Sequence, residues 1–422
     1  LAVVNSRTIL IAHRFQVAKM KSEKPHPTQG ASGEASSLDT VAIHGNRRPP
    51  LHAALAPPIY QTSSFRALSN EEFARLAVEP RNDHFYTRCG NPTLSETEAV
   101  IADLEGGESA LLTGSGKAAI TTAVLTFVES GDHVVAQRNH YAGTTSLVRD
   151  FLPRYGVEVS VVDQTDVAAF ENALKPNSKL LVLETPSNPL MILTDLTKLC
   201  AIAKQRGLLT IVDNTFATPI NQRPLLFGAD LVVHGGTKYL GGHSDVSAGA
   251  IVGSSSLLAK VWEAFLLLGP VLGPIDAWLL LRGLRTLPVR IERQNRSALA
   301  ISEFLAGHPK VERVNYPGLD SHPQRDLARS QMSGFTGILS FVLKGKDDAA
   351  QRLIAGLRLI AHASSFGGVE SLVVSPTIME SHLMSKEQFA LAGVRPSLLR
   401  LSVGLENKQD LIADLEQALE EV

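Results

Sequence analysis

The chain has 422 residues, enough to bury a large core in two lobes with an additional arm. Its formal net charge of −2, with only 19% charged residues, supplies no basic surface for nucleic acid. Cys89 and Cys200 are the only cysteines, too few for a disulfide framework, so a reducing cytoplasm is the expected compartment.

Residues Leu1 to Met20 lack acidic side chains and carry Arg7, His13, Arg14 and Lys19; the stretch Lys21 to Ser37 that follows is rich in Gly, Ser, Pro and Lys. A transit peptide has this composition. Because position 1 is not Met and Met20 stands just ahead of the polar stretch, residues 1–37 are expected to be a disordered tail or an over-extended start. From Leu104, LEGGESALLTGSGKAAITTAV runs from a turn through an apolar stretch into Gly114, Ser115 and Gly116, and then into an alanine-rich helix. Free amides at the start of such a helix favour a dianion, although a Gly-Ser-Gly turn can also be a plain connector. Strands are expected at His133 to Gln137, Val157 to Val162, Lys179 to Glu184, Leu208 to Asp213, Ala229 to His234 and Ala248 to Val252, alternating with helices. That order predicts a mostly parallel sheet flanked by helices.

Tyr141 follows the first of these strands and could lie flat on a heterocycle or serve as a core ring. In LLTIVDNTFATP, Leu208 to Pro219, the apolar run ends in Asp213, at the strand end where open α/β sheets bind ligands. A carboxylate there can pair with a protonated pyridine nitrogen or merely cap a helix. In VVHGGTKYLGGHSDV, Val232 to Val246, Lys238 sits between Thr237 and a run of glycines. Backbone amides and a hydroxyl suit an anion while the primary amine can condense with an aldehyde, and pyridoxal 5'-phosphate (PLP) carries both groups. Read alone, the same segment is more often a solvated lysine in a glycine loop. No stretch reads as a membrane span, since Ala264 to Leu281 is broken by Gly269, Pro270, Gly273, Pro274 and Asp276. Pro288 to Leu305 reads as a helix leading into a C-terminal α+β unit with a strand at Ile338 to Leu343 and a closing helix at Gln409 to Glu421.

From about Leu38 onward the chain resembles the trans-sulfuration, or Cys/Met-metabolism, group of fold-type I PLP enzymes, which includes cystathionine γ-synthase, the cystathionine lyases, methionine γ-lyase and the acyl-homoserine sulfhydrylases. Its motifs recur in family order: APPIYQTSSF near Pro57, FYTRCGNPT from Phe85, LEGGESALLTGSG from Leu104, ETPSNP from Glu184, VDNTFATP from Val212, HGGTKYLGGHSD from His234, NYPGL from Asn315, SFGGVESL from Ser365 and RLSVGLEN from Arg400. The resemblance implies an α/β fold with an arm over 38–90 that contacts a neighbouring subunit, a PLP-binding domain over 91–288 and a smaller C-terminal α+β domain over 289–422. It implies that Lys238 holds the cofactor and moves protons, that Asp213 faces the pyridine nitrogen, that Asn188 touches the ring hydroxyl and that Tyr141 stacks on the ring. Gly116 and Lys117 would offer amides to the phosphate, Thr237 its hydroxyl, and Tyr86 and Arg88 would reach it from the neighbour in a homo-oligomer, a dimer of dimers. Arg400 would clamp the substrate carboxylate, helped by Ser365. No metal is assigned.

Some positions depart from the family pattern. Gly235 stands where the family usually has serine, which removes one phosphate hydroxyl. Phe85 and Ser146 lie where many cystathionine γ-lyases place charged residues, Gly143 where methionine γ-lyases typically have cysteine, and Glu370 resembles the cystathionine synthases and lyases. The activity expected is β- or γ-elimination or γ-replacement on sulfur amino acids or activated homoserine, cystathionine γ-synthase/γ-lyase-like first, with acyl-homoserine sulfhydrylase or methionine γ-lyase as alternatives. A PLP-binding protein without turnover is the reading from a different class.

Overall fold

The alternating runs assemble, in a computed structural model describing residues 36–45, 54–382 and 384–422, into a seven-stranded sheet and a second sheet of five strands. The tail expected over 1–37 lies, apart from Ser36 and Ser37, outside the described residues. In the large sheet the strands are β1 (Ser109–Thr113), β2 (His133–Gln137), β3 (Glu158–Val162), β4 (Ser178–Glu184), β5 (Leu209–Asp213), β6 (Leu231–His234) and β7 (Gly249–Gly253), in the spatial order β1-β7-β6-β5-β4-β2-β3. Only β7 runs against its neighbours, β1 and β6, so the sheet is mostly parallel as expected. Side chains alternate between two buried faces: Ala110, Leu112, Ala250 and Val252 enter a core shared with the helices Pro92–Glu105 and Pro274–Leu284, while Leu111 and Ile251 enter another with Gly116–Thr126 and Ser255–Leu268. Burial on both faces explains why these strands read as continuous apolar runs.

Three strands begin one or two residues later than the sequence suggests, for one reason. Gly156, Gly207 and Gly228 take left-handed backbone conformations at the ends of the preceding helices. The next amide, of Val157, Leu208 or Ala229, donates back into that helix, to Leu152, Ala203 or Pro224, and so cannot join the sheet ladder. The amide of Ala248 is likewise taken by the Thr237 hydroxyl, and β7 starts at Gly249.

The second sheet has the order β10 (Ala361–His362), β11 (Leu372–Val374), β12 (Leu398–Ser402), β9 (Ile338–Leu343), β8 (Val311–Asn315). The helix Leu287–Gly307 spans the position near Val289 where the second unit was expected to begin: Leu287 and Ile291 pack in the first core and Ala298, Ile301 and Leu305 in the second. In β12, Leu399 and Leu401 fill the second core, so strand periodicity turns Arg400 and Ser402 to the opposite face, toward the large sheet. The arm is laid on the first unit by hydrogen bonds from Tyr60 N to Thr93 Oγ1 and from Trp278 Nε1 to the Pro57 carbonyl. Among the described residues no helix is long and apolar enough to cross a membrane.

Candidate active site

The C-terminal ends of β4, β5 and β6 converge on one edge of the large sheet, with Glu184 directly opposite Asp213 and Asp213 opposite Val233. Just beyond β6, the turn carrying Lys238 is closed by backbone bonds from Lys238 N to Gly235 O and from Gly241 N to Gly236 O. Lys238 Nζ donates to Ser365 Oγ at 2.7 Å and lies 4.8 Å from the centre of the Phe366 ring. Burial, with the positive charge of Arg400 second, lowers the Lys238 amine to about 8. Arg400 stands against the same ring at 5.3 Å and donates from its two terminal nitrogens to Asn188 Oδ1 at 3.1 Å and the Ser365 carbonyl at 3.0 Å. Its Nε is buried without a partner, and burial drops the guanidinium to about 10. Ser365 has a φ of +88°, a conformation L residues rarely adopt, and the next turn is pinned by Gly367 N donating to Ser402 Oγ.

Asp213 is held rather than free. Thr215 donates to its Oδ1 from both amide and hydroxyl, and the Thr215 hydroxyl accepts from Gly235 N at 2.8 Å, so the carboxylate and the lysine turn are tied together. Both bonds go to Oδ1, which leaves Oδ2 for a ring N–H. Burial raises the Asp213 carboxyl and the Thr215 bonds oppose the rise. Behind it, Glu105 Oε1 meets His234 Nε2 at 2.6 Å and accepts from Asn214 Nδ2 at 2.8 Å, so one buried carboxylate clamps the ends of β5 and β6.

An anion cradle lies alongside. Gly116 begins its helix, Ser115 caps it by accepting from Ala118 N, and the first-turn amides of Gly116 and Lys117 have no partner within the helix. A Cβ at Gly116 would come within 2.6 Å of Gly235 Cα, so two backbones meet where only glycine fits. A Cβ at Gly235 would make ordinary contacts of 3.4 to 3.6 Å with Thr215 and Lys238. The Thr237 hydroxyl donates to Ala248 O and accepts from Ala248 N, and the Lys117 ammonium donates to the Gly143 carbonyl, with its pKa lowered by burial. Lysine, carboxylate and unpaired amides together fit the three polar ends of PLP.

Tyr141 is half exposed, its ring close enough to Gly143 that a Cβ there would meet Tyr141 Cε1 at 2.5 Å. Burial raises its phenol. Its amide and that of Asn188 both donate to the Glu184 carboxylate, at 2.7 and 3.0 Å. Burial, with Asp213 second, pushes the Glu184 carboxyl well up. Asn188 therefore faces Arg400 with its side chain and Glu184 with its backbone. Tyr86 and Arg88 contact each other, the guanidinium 5.4 Å from the ring centre, and among the described residues no hydrogen bond or ring contact joins them to the Lys238 cluster.

Four contributors escaped the sequence reading as site residues. Glu184 carried the same signal as Asp213, an acid closing an apolar strand, and Phe366 directly follows Ser365 in its motif. Glu105 and His234 lie 129 positions apart, and nothing in their spacing announces the pair.

A family model described as Cys/Met metabolism PLP-dependent enzyme matches residues 39–420. The chain is 44% identical over 388 residues to an L-methionine gamma-lyase of Fusobacterium nucleatum subsp. polymorphum, covering 91% of this chain and 98% of the relative. It is 40% identical over 387 residues to a cystathionine gamma-lyase of Bacillus subtilis, covering 91% and 99%. A crystal structure of cystathionine gamma-lyase from Lactobacillus plantarum complexed with L-serine superposes with a TM-score of 0.87 at 36% identity, covering 92% of this chain and 99% of that one.

Proposed function

Because the chain belongs to the Cys/Met metabolism PLP-dependent enzyme family, and so is a PLP enzyme of elimination or replacement on sulfur amino acids, we propose that it is a carbon–sulfur lyase removing the γ-substituent of thioether amino acids with uncharged tails. The observation carrying this choice is the pairing of an Arg400 clamp and a Lys238 amine on one ring, Phe366, with no charge at Phe85 or Ser146 for a distal zwitterion. Phe85 instead packs edge-on against Phe73 at 5.6 Å. Similarity to methionine gamma-lyases agrees.

In this reading Arg400 and Ser365 hold the substrate α-carboxylate in a two-pronged grip. Bound PLP supplies the sink for negative charge at the α-carbon. Asp213 would face the ring nitrogen of the bound group with its carboxylate, Gly116 and Lys117 would offer amides to its phosphate with the Thr237 hydroxyl beside them, and Asn188 would meet its ring hydroxyl. Lys238, whose amine is near 8, takes the α-proton and returns it at a neighbouring carbon. Tyr141, kept protonated by burial, covers the site against water and donates to the departing sulfur.

A second reading, cystathionine as the preferred substrate, is favoured by the exposed carboxylate of Glu370 in the turn after Phe366. The test is a substrate panel of cystathionine, methionine and acyl-homoserines scored for 2-oxo acid and thiol release. A kcat/KM for methionine above that for cystathionine is expected, and a clear preference for cystathionine overturns the choice. We also read Tyr86 and Arg88 as completing the phosphate site of a neighbouring subunit, so the active unit is at least a dimer.

A further inference from the structure

Glu105 stands where local physics disfavours an acid. It is the last residue of the helix Pro92–Glu105, at the negative end of the helix dipole, and it is fully buried. Its Oε1 accepts from Asn214 Nδ2 at 2.8 Å and meets His234 Nε2 at 2.6 Å, while Oε2 is buried with no hydrogen-bond partner among the described residues. A carboxylate held in this way loses hydration that an apolar side chain never had, and the same stretch of helix already supplies Val100, Ile101 and Leu104 to the first core. Packing of the helix does not account for Glu105.

What the carboxylate holds lies at the site. Asn214 follows Asp213 at the end of β5, and His234 ends β6, one residue before Gly235. Gly235 N donates to Thr215 Oγ1 at 2.8 Å, and Thr215 donates to Asp213 Oδ1 from its amide at 3.0 Å and from its hydroxyl. The links close a ring: Glu105 to Asn214, along the chain to Thr215, across to Gly235, along the chain to His234, and back to Glu105. The Asp213 carboxylate hangs from the Thr215 corner. The turn bearing Lys238 starts from the Gly235 corner, since Lys238 N donates to Gly235 O at 3.0 Å. Beyond the bond from Asn214 N to Val233 O at 3.0 Å, the two strand ends are tied by Glu105 on one side and Thr215 on the other, so their spacing sets where Asp213 Oδ2 points.

We propose that Glu105 and His234 are positioning residues: by fixing the two strand ends they aim Asp213 at the ring nitrogen of the bound cofactor and so keep that nitrogen protonated. The pair acts through Asp213 and touches neither cofactor nor substrate.

This rests on Asp213 as the partner of the ring nitrogen, and the experiment separates the two. Cofactor-free protein is loaded with PLP isotopically labelled at the ring nitrogen, whose NMR shift reports its protonation above the pH at which free PLP gives that proton up. The deciding variant combines Glu105→Met with His234→Leu, because exchanging a whole buried polar pair for apolar side chains leaves no orphaned charge and is often neutral for stability. Its ring nitrogen is expected to lose the proton and its PLP Kd to rise about 10-fold, the scale of one hydrogen bond to a charged group. Glu105→Gln, which can place an oxygen where Oε1 stands, should keep the proton. Val100→Ala, in the same helix and core, should lower Tm and leave the shift unchanged. A protonated ring nitrogen in the folded, fully loaded double variant, or an equal shift in Val100→Ala, makes the pair a packing feature and overturns the proposal. Asp213→Asn is the separate check: a ring nitrogen that stays protonated there refutes the pairing with Asp213 itself.

Discussion

The contact between Gly116 and Gly235 offers a test of the anion cradle that turns on one methyl group. Helix propensity alone makes Gly116→Ala stabilising by up to about 1 kcal/mol. Against this, the new Cβ would start 2.6 Å from Gly235 Cα and 3.3 Å from Gly235 N, both backbone atoms that cannot rotate away. Restoring ordinary contact requires the helix start and the lysine turn to part by roughly 1 Å, and overpacking of this kind costs about 1–3 kcal/mol, so the clash wins. Parting also pulls the Gly116 and Lys117 amides away from whatever Thr237 and the turn hold on the other side. Losing one hydrogen bond to a charged group is worth about 1.5–3 kcal/mol, or roughly 10- to 100-fold in cofactor Kd. Titration of cofactor-free protein with PLP, followed by absorbance, measures it. Gly235→Ala is the paired control, since its Cβ meets nothing closer than 3.4 Å and should leave Kd within about 2-fold. Wild-type affinity in Gly116→Ala, or a larger loss in Gly235→Ala, would refute the geometry.

Lys238 and the arm carry three further outcomes. With its amine near 8 rather than the ordinary 10.5, Lys238 of the cofactor-free protein should react with an amine-directed label with a midpoint near pH 8; about one molecule in ten is then neutral at pH 7, against roughly one in three thousand for an unperturbed lysine. Folded-state depression of a lysine also means that stability rises with pH between about 8 and 10.5, where the unfolded chain binds the additional proton. A labelling midpoint above 10 contradicts the burial argument. Arg88→Ala and Lys238→Ala should each be inactive alone, yet co-refolding should restore up to about half of wild-type activity per mixed dimer, because one site in two is then whole; no recovery despite proven subunit exchange would place the phosphate site within one chain.

Local physics set much of this protein. Apolar runs of four to seven residues, most of them buried on both faces, fixed the strands of the large sheet, and each run ending in an acid or a glycine turn marked the edge where Asp213, Lys238 and Gly116 collect. In the structure, alternation along LLRLS turns Arg400 away from the small core. Strand starts were less legible, because an amide after a left-handed glycine serves the preceding helix or the sheet, and only the closed geometry of the helix end decides which. Pairings across the chain were not legible from residue spacing; only the family resemblance put Arg400 and Ser365 at one site. Glu105 finds His234 and Asn214, and Arg400 finds Asn188 and Ser365, all over separations at which residue spacing carries no distance. Side-chain chemistry is written locally, whereas which charges face each other depends on how two sheets pack, and that is settled by the summed burial of two cores rather than by any motif.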